Sequence, residues 1–187
     1  MRAAFRGVTF PCSDATFTPM FRLLLSLICA LALLPGCASS THRRYGYDYV
    51  AGKTATLQGG RAVAPPAAPS AVKAAIDAGN RIAGLPYGYG CGHTRALSSA
   101  YDCSGAASWV LCEAGLLDEP TTSSAFRSFG DHGQGRWISV YARNGHVFLA
   151  VAGLRFDTGW GNGATGPRWT TRGRPLNGAV VRHPRGL

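Results

Sequence analysis

Tyr101-Asp102-Cys103-Ser104-Gly105 runs directly into Ala106, Ala107, Trp109, Val110 and Leu111, and this join of a polar pentapeptide to an apolar run organises the rest of the chain. The pattern predicts a loop that delivers a cysteine to the first turn of a buried helix, from about Ser104 to Ala114, with Gly115 as its stop. A helix N-terminus carries backbone N–H groups without intrahelical acceptors and a positive partial charge. Both favour a thiolate, so a cysteine held there gains nucleophilicity.

Upstream, Val72, Ala75, Ile76, Gly79, Ile82 and Ala83 recur at helical spacing. They predict an amphipathic helix with Ser70 as N-cap and Gly84-Leu85-Pro86 as its end. Tyr87-Gly88-Tyr89-Gly90-Cys91-Gly92 then reads as a flexible aromatic loop. Downstream, residues 118–135 are loop-rich, with a short helix around Ala125–Phe129. Strands follow at Trp137–Tyr141, His146–Val151, Leu154–Thr158 and Ala179–Arg182. Helices first and sheet second point to an α+β domain, N-terminal helices packed on a small antiparallel sheet.

The strand pattern allows a geometric inference. If Ala152-Gly153 is a two-residue hairpin turn, Val151 faces Leu154 and Phe148 faces Asp157. His146 shares a face with Phe148, so His146 and Asp157 become diagonal neighbours, while Thr158 points to the opposite face. Cysteine, imidazole and an orienting carboxylate are the parts of a thiol hydrolase. Of the other histidines, His93, His132 and His183 show no metal-ligand spacing, and Cys91-Gly92-His93 alone is not a zinc motif, so neither metal nor cofactor is expected.

The N-terminus sets the compartment. Residues 23–34 form a twelve-residue apolar stretch, too short to span a bilayer but suited to a signal-peptide core, with Arg22 before it and Met20 as a plausible true start. Leu34-Pro35-Gly36-Cys37 resembles a bacterial lipobox, which implies removal of residues 1–36 and lipidation of Cys37. Ala38 after that cysteine favours an outer-membrane destination facing the periplasm. Residues 37–69, with Gly59-Gly60 and a Pro/Ala-rich run at 64–69, read as a tether leading to a domain over residues 70–187.

The formal charge is +10, nearly all from arginine, and about +8 remains once residues 1–36 are removed. Such a surface suits anionic polymers or phospholipid headgroups, but no basic stripe interleaved with aromatics indicates nucleic acid. Past Cys37 the chain retains Cys91, Cys103 and Cys112, an odd number, consistent with a free Cys103. Cys91 and Cys112 either pair or stay reduced.

Three segments in order, Leu85-Pro86-Tyr87-Gly88-Tyr89-Gly90, Asp102-Cys103-Ser104-Gly105 and Gly145-His146-Val147, resemble the motifs of the NlpC family of papain-like cysteine peptidases, which cut peptidoglycan stem peptides. Ala152-Gly153-Leu154-Arg155-Phe156-Asp157-Thr158 is similar to a run in one branch of that family. The resemblance implies a papain-like NlpC fold, Cys103 as nucleophile, His146 as base, Asp157 at the third position and Tyr87 beside the nucleophile as an oxyanion donor. It implies a monomer that needs no cofactor, meets peptidoglycan stem peptides as substrate and reaches the membrane through its N-terminal lipid. Cys91 stands where the family has a glycine, and Asp157 where histidine is common. Two other classes therefore share these parts: a wall-binding lipoprotein with a degenerate site, and a thiol-dependent acyl or amide transferase.

Overall fold

The structure, a computed structural model, describes residues 43–159 and 165–187. In chain order these form β1 (Arg44–Tyr45), β2 (Thr56–Gln58), β3 (Arg61–Val63), α1 (Ser70–Ile82), α2 (Cys103–Glu113), a 3₁₀ turn at Ala125–Ser128, and β4 (Asp131–His132). The remaining strands are β5 (Ile138–Arg143), β6 (His146–Val151), β7 (Leu154–Asp157), β8 (Arg168–Thr170), β9 (Arg174–Pro175) and β10 (Val180–His183). The fold is α+β with antiparallel sheets.

Helix α1 buries Val72, Ala75, Ile76, Gly79 and Ile82, the stripe its spacing predicts. Ser70 does not cap it. Pro69 holds the N-cap position with φ −56° and ψ 157°, an extended backbone just outside the helix, and no side chain caps it. Helix α2 is different in kind: every residue from Ser104 to Cys112 is buried, so it is apolar on all sides and runs through the interior.

Six strands form the main sheet in the order β4-β10-β5-β6-β7-β8. Val147, Leu149 and Val151 of β6 join Phe156 and Trp169 against both helices. Phe148 and Ala150, pointing the other way, join Tyr141 and Tyr45 in a second cluster. Central strands buried on both faces need two covers, and the second cover comes from the N-terminal segment. Tyr45 sits edge-on to Tyr141 and Phe148, which stack 4.7 Å apart. The Tyr45 hydroxyl donates to the Gly153 carbonyl.

Residues 43–69 are therefore not the expected tether; they belong to the compact unit His42–Leu187. β1 pairs with β9. β2 and β3 form a hairpin whose turn residues Gly59 and Gly60 have φ of 55° and 80°, the left-handed pair that a tight hairpin requires. The side chain of Asn80 on α1 then pairs with the backbone N–H and carbonyl of Ala62, each at 2.9 Å, as a strand would. The segment folds because Tyr45, Ala55 and Ala62 bury apolar surface, which a free linker has no means to do. The expected signal segment 1–36, the start at Met20 and the lipidation site Cys37 lie outside the described residues. Among the described residues no helix is long and apolar enough to cross a membrane.

Gly79 supplies a test of this packing. A Cβ built there lies 2.5 Å from Cζ2 of Trp169 on β8. In an open helix Gly→Ala is worth about 1 kcal/mol of added stability. Here the sign reverses: Gly79→Ala should lose about 1–3 kcal/mol by forcing the indole out of its slot, read from denaturant unfolding.

Candidate active site

The polar pentapeptide works as a fastening for the start of α2. Asp102 is its N-cap: Oδ1 accepts from the backbone N–H of Gly105 at 2.7 Å and from the Ser104 hydroxyl at 3.1 Å. Oδ2 accepts from the N–H of Gly90 at 3.0 Å, and His93 Nε2 lies 3.1 and 3.2 Å from the two oxygens. The loop before the helix is anchored rather than free. Tyr101 donates to the Pro86 carbonyl, Gly88 to that of Tyr101 and Asp102 to that of Cys91. Gly105 permits this close approach, because a Cβ there would stand 2.2 Å from the Cys91 carbonyl oxygen. The tip is open to solvent at Tyr89, 91% exposed. Cys103, the first residue of α2, stays partly exposed at the mouth of this arrangement.

His146 opens β6 and Asp157 closes β7. Ala152 and Gly153, with φ of 44° and 74°, make the two-residue turn, and the ladder pairs Val151 with Leu154 and Leu149 with Phe156. That register sets His146 and Asp157 on one face, and His146 Nε2 lies 2.9 Å from Asp157 Oδ1. The other ring nitrogen, Nδ1, remains for the cysteine side, and Cys103 stands near enough to raise the ring's proton affinity. Burial works against the protonated ring. The hydrogen bond to Asp157, the nearby Cys103 and the Asp157 charge outweigh it, and the His146 pKa lies above its ordinary value of 6.5 although Arg174 opposes them.

Asp157 keeps 4% of its side chain exposed. Its second oxygen, Oδ2, accepts from Arg174 Nη1 at 2.7 Å and lies 3.5 Å from Arg155 Nε. Neither arginine is announced by the sequence: Arg155 sits in a strand that reads as core, and Arg174 in an Arg-Gly-Arg-Pro stretch that reads as loop. His93 reads in sequence as a residue that either touches a groove or caps a loop, and spacing alone does not bring it to Asp102 and Ser104, where its Nε2 lies 3.3 Å from the Ser104 hydroxyl.

Tyr87 bridges to Tyr101 and stands close enough to Cys103 to feel its charge. Burial first, then the charges of Cys103 and Asp102, hold the phenol above its ordinary pKa, so it is a neutral donor at physiological pH. Cys91, Cys103 and Cys112 are all free thiols. Cys112 is buried, and burial raises its pKa. Among the described residues no group of three or more His, Cys, Asp or Glu side chains could hold a metal ion.

The raised His146 pKa links stability to pH. Its contribution is fully present below the unfolded value near 6.5 and is lost as pH rises through the higher folded value. Melting temperatures of wild type and His146→Gln measured from acid to alkaline pH should therefore converge or cross as pH rises, wild type losing its advantage; parallel curves would contradict the geometry.

The chain matches no model of a known protein family, and comparison with curated proteins gives no match.

Proposed function

We propose that the protein is a cell-envelope lipoprotein with a papain-like cysteine peptidase domain of NlpC type, hydrolysing an amide bond in peptidoglycan stem peptides. One observation carries the reading: a cysteine at the start of a buried helix meets an imidazole whose far nitrogen is engaged by a buried carboxylate. The helix bearing Cys103 packs on the antiparallel strands that bear His146 and Asp157, the layout that a papain-like domain needs.

In the proposed reaction His146 takes the Cys103 thiol proton as the sulfur attacks the scissile carbonyl carbon. The oxyanion meets the backbone N–H of Cys103, one of those a helix leaves without an intrahelical acceptor, and the neutral hydroxyl of Tyr87. The tetrahedral intermediate collapses as His146 returns the proton to the departing amine, leaving a thioester. Water, deprotonated by His146, then attacks the thioester and releases the acid and the thiol. Asp157 keeps Nε2–H committed, so that Nδ1 faces the sulfur throughout. Lipidated Cys37 would hold the domain at the membrane, and the arginine-rich surface suits the anionic wall.

Mass spectrometry of wall fragments incubated with the purified protein tests the reading. Wild type should release stem-peptide products and Cys103→Ala none, with its melting temperature kept. An electrophile at neutral pH should label Cys103 before Cys91 or buried Cys112. Cleavage by Cys103→Ala at the wild-type rate ends the proposal, and transfer to an added amine instead of water would assign a transferase.

A further inference from the structure

The N-terminal strap reaches the site through one side chain. Arg174 lies on β9, and β9 is held by β1: Tyr45 pairs with Arg174, Arg44 with Pro175, and the N–H of Leu176 donates to the Arg43 carbonyl at 2.8 Å. From that strand the guanidinium turns inward. Its Nη1 donates to Asp157 Oδ2 at 2.7 Å and to the Gly159 carbonyl at 3.1 Å, and the group lies over the Phe148 ring, 5.8 Å from its centre. The Arg174 side chain is 13% exposed. Strand pairing thus fixes the backbone, and a carboxylate, a carbonyl and an aromatic face meet the cation.

The carboxylate has two oxygens and three neighbours, His146, Arg155 and Arg174. A buried carboxylate is free to present either oxygen to an imidazole unless one is already taken. Arg155, two residues earlier on the same face of β7, approaches Oδ2 at 3.5 Å and is too distant for a strong bond. Arg174 is close enough, and its planar fork suits a carboxylate.

Building on the cysteine-peptidase reading, we propose that Arg174 is a positioning residue for His146: by occupying Oδ2 of Asp157 it commits Oδ1 to the imidazole, and strand β1 holds it there. The strap is then a working part of the site rather than a leash. With Oδ1 fixed on Nε2, the neutral ring carries its proton on Nε2 and leaves Nδ1 basic toward Cys103. Without Arg174, Oδ2 loses its near partner, the carboxylate rotates, and the ring samples both tautomers.

The test uses the whole protein with Arg174→Gln, Arg174→Met and Arg174→Lys. Methionine keeps an apolar stem over Phe148, so an uncharged variant that packs is at hand even where glutamine disrupts folding. The first readout is the ¹⁵N shifts of His146 at alkaline pH, where the ring is neutral. Wild type and Arg174→Lys should show two well-separated nitrogens, and the uncharged variants two shifts drawn together. The second is wall cleavage: the uncharged variants should lose about tenfold or more in kcat with KM within about twofold, and lysine should recover most of the loss. Separated nitrogens in a folded uncharged variant, or a lysine variant that behaves like methionine, overturn the proposal. The ring shifts do not depend on turnover, so a wild-type protein that cleaves nothing sinks the peptidase reading while leaving this one decidable.

Discussion

A carboxylate almost out of water is the constraint around which the far side of the sheet is arranged. Asp157 must be matched by positive charge and by hydrogen-bond donors, because an isolated buried anion costs several kcal/mol. Two arginines and a histidine meet that demand from three elements: β7 itself, β9 and β6. The two permanent cations matter for the chemistry as well as for stability. A lone Asp157 would draw the proton firmly onto His146; Arg174 opposes it, so the ring is raised in pKa but not left with an uncompensated anion at its side. Burial of this group of charges in turn needs an apolar roof, and Tyr45, Tyr141 and Phe148 form one.

The roof explains why a domain of this size folds around a sheet with no open face at its centre. Helices α1 and α2 cover one side; the strap and the β9 region cover the other. The aromatic stack does double duty, since Arg155 and Arg174 both lie against the Phe148 ring while reaching for Asp157. The start of α2 follows a parallel logic on a smaller scale. Asp102 gathers the helix, the preceding loop and His93 onto one side chain, and the cysteine next to it is left as the partly exposed member of an otherwise buried turn.

What could be read in the residues was whatever rested on short-range geometry. Alternation along 146–157 and a two-residue turn at Ala152-Gly153 were enough to derive the β6–β7 register, and the register brings His146 to Asp157. The α1 stripe and the α2 run were legible for the same reason, since helical spacing is local. The strap was not. β1, β2 and β3 are two or three residues long, too short for any periodicity, and a Gly-Gly pair beside Pro/Ala-rich sequence looks like linker. Their structure comes from distant partners: Asn80 for β3, Arg174 and Pro175 for β1. Arg174 itself was invisible because its role depends on where a strand ends in space, which Arg-Gly-Arg-Pro does not encode.

The pairing of β1 with β9 has a bearing on how the chain acquires its structure. The two strands are more than a hundred residues apart, so β1 has no strand partner until β9 is in place, although Tyr45 also packs on Tyr141 and Phe148. Helices and the β5–β7 meander have their partners nearby and can gather early. The aromatic roof closes only at the end, as a long-range step that carries the largest loop-closure entropy in the domain. A nascent chain halted before Arg174 would therefore hold the helical layer and strands β5 to β8, with the cover over Tyr141 and Phe148 lacking the part that Leu176 and Val181 supply. Such an intermediate offers an apolar face to chaperones and aggregation alike, and ordering of the charges around Asp157 belongs to the final moments of folding.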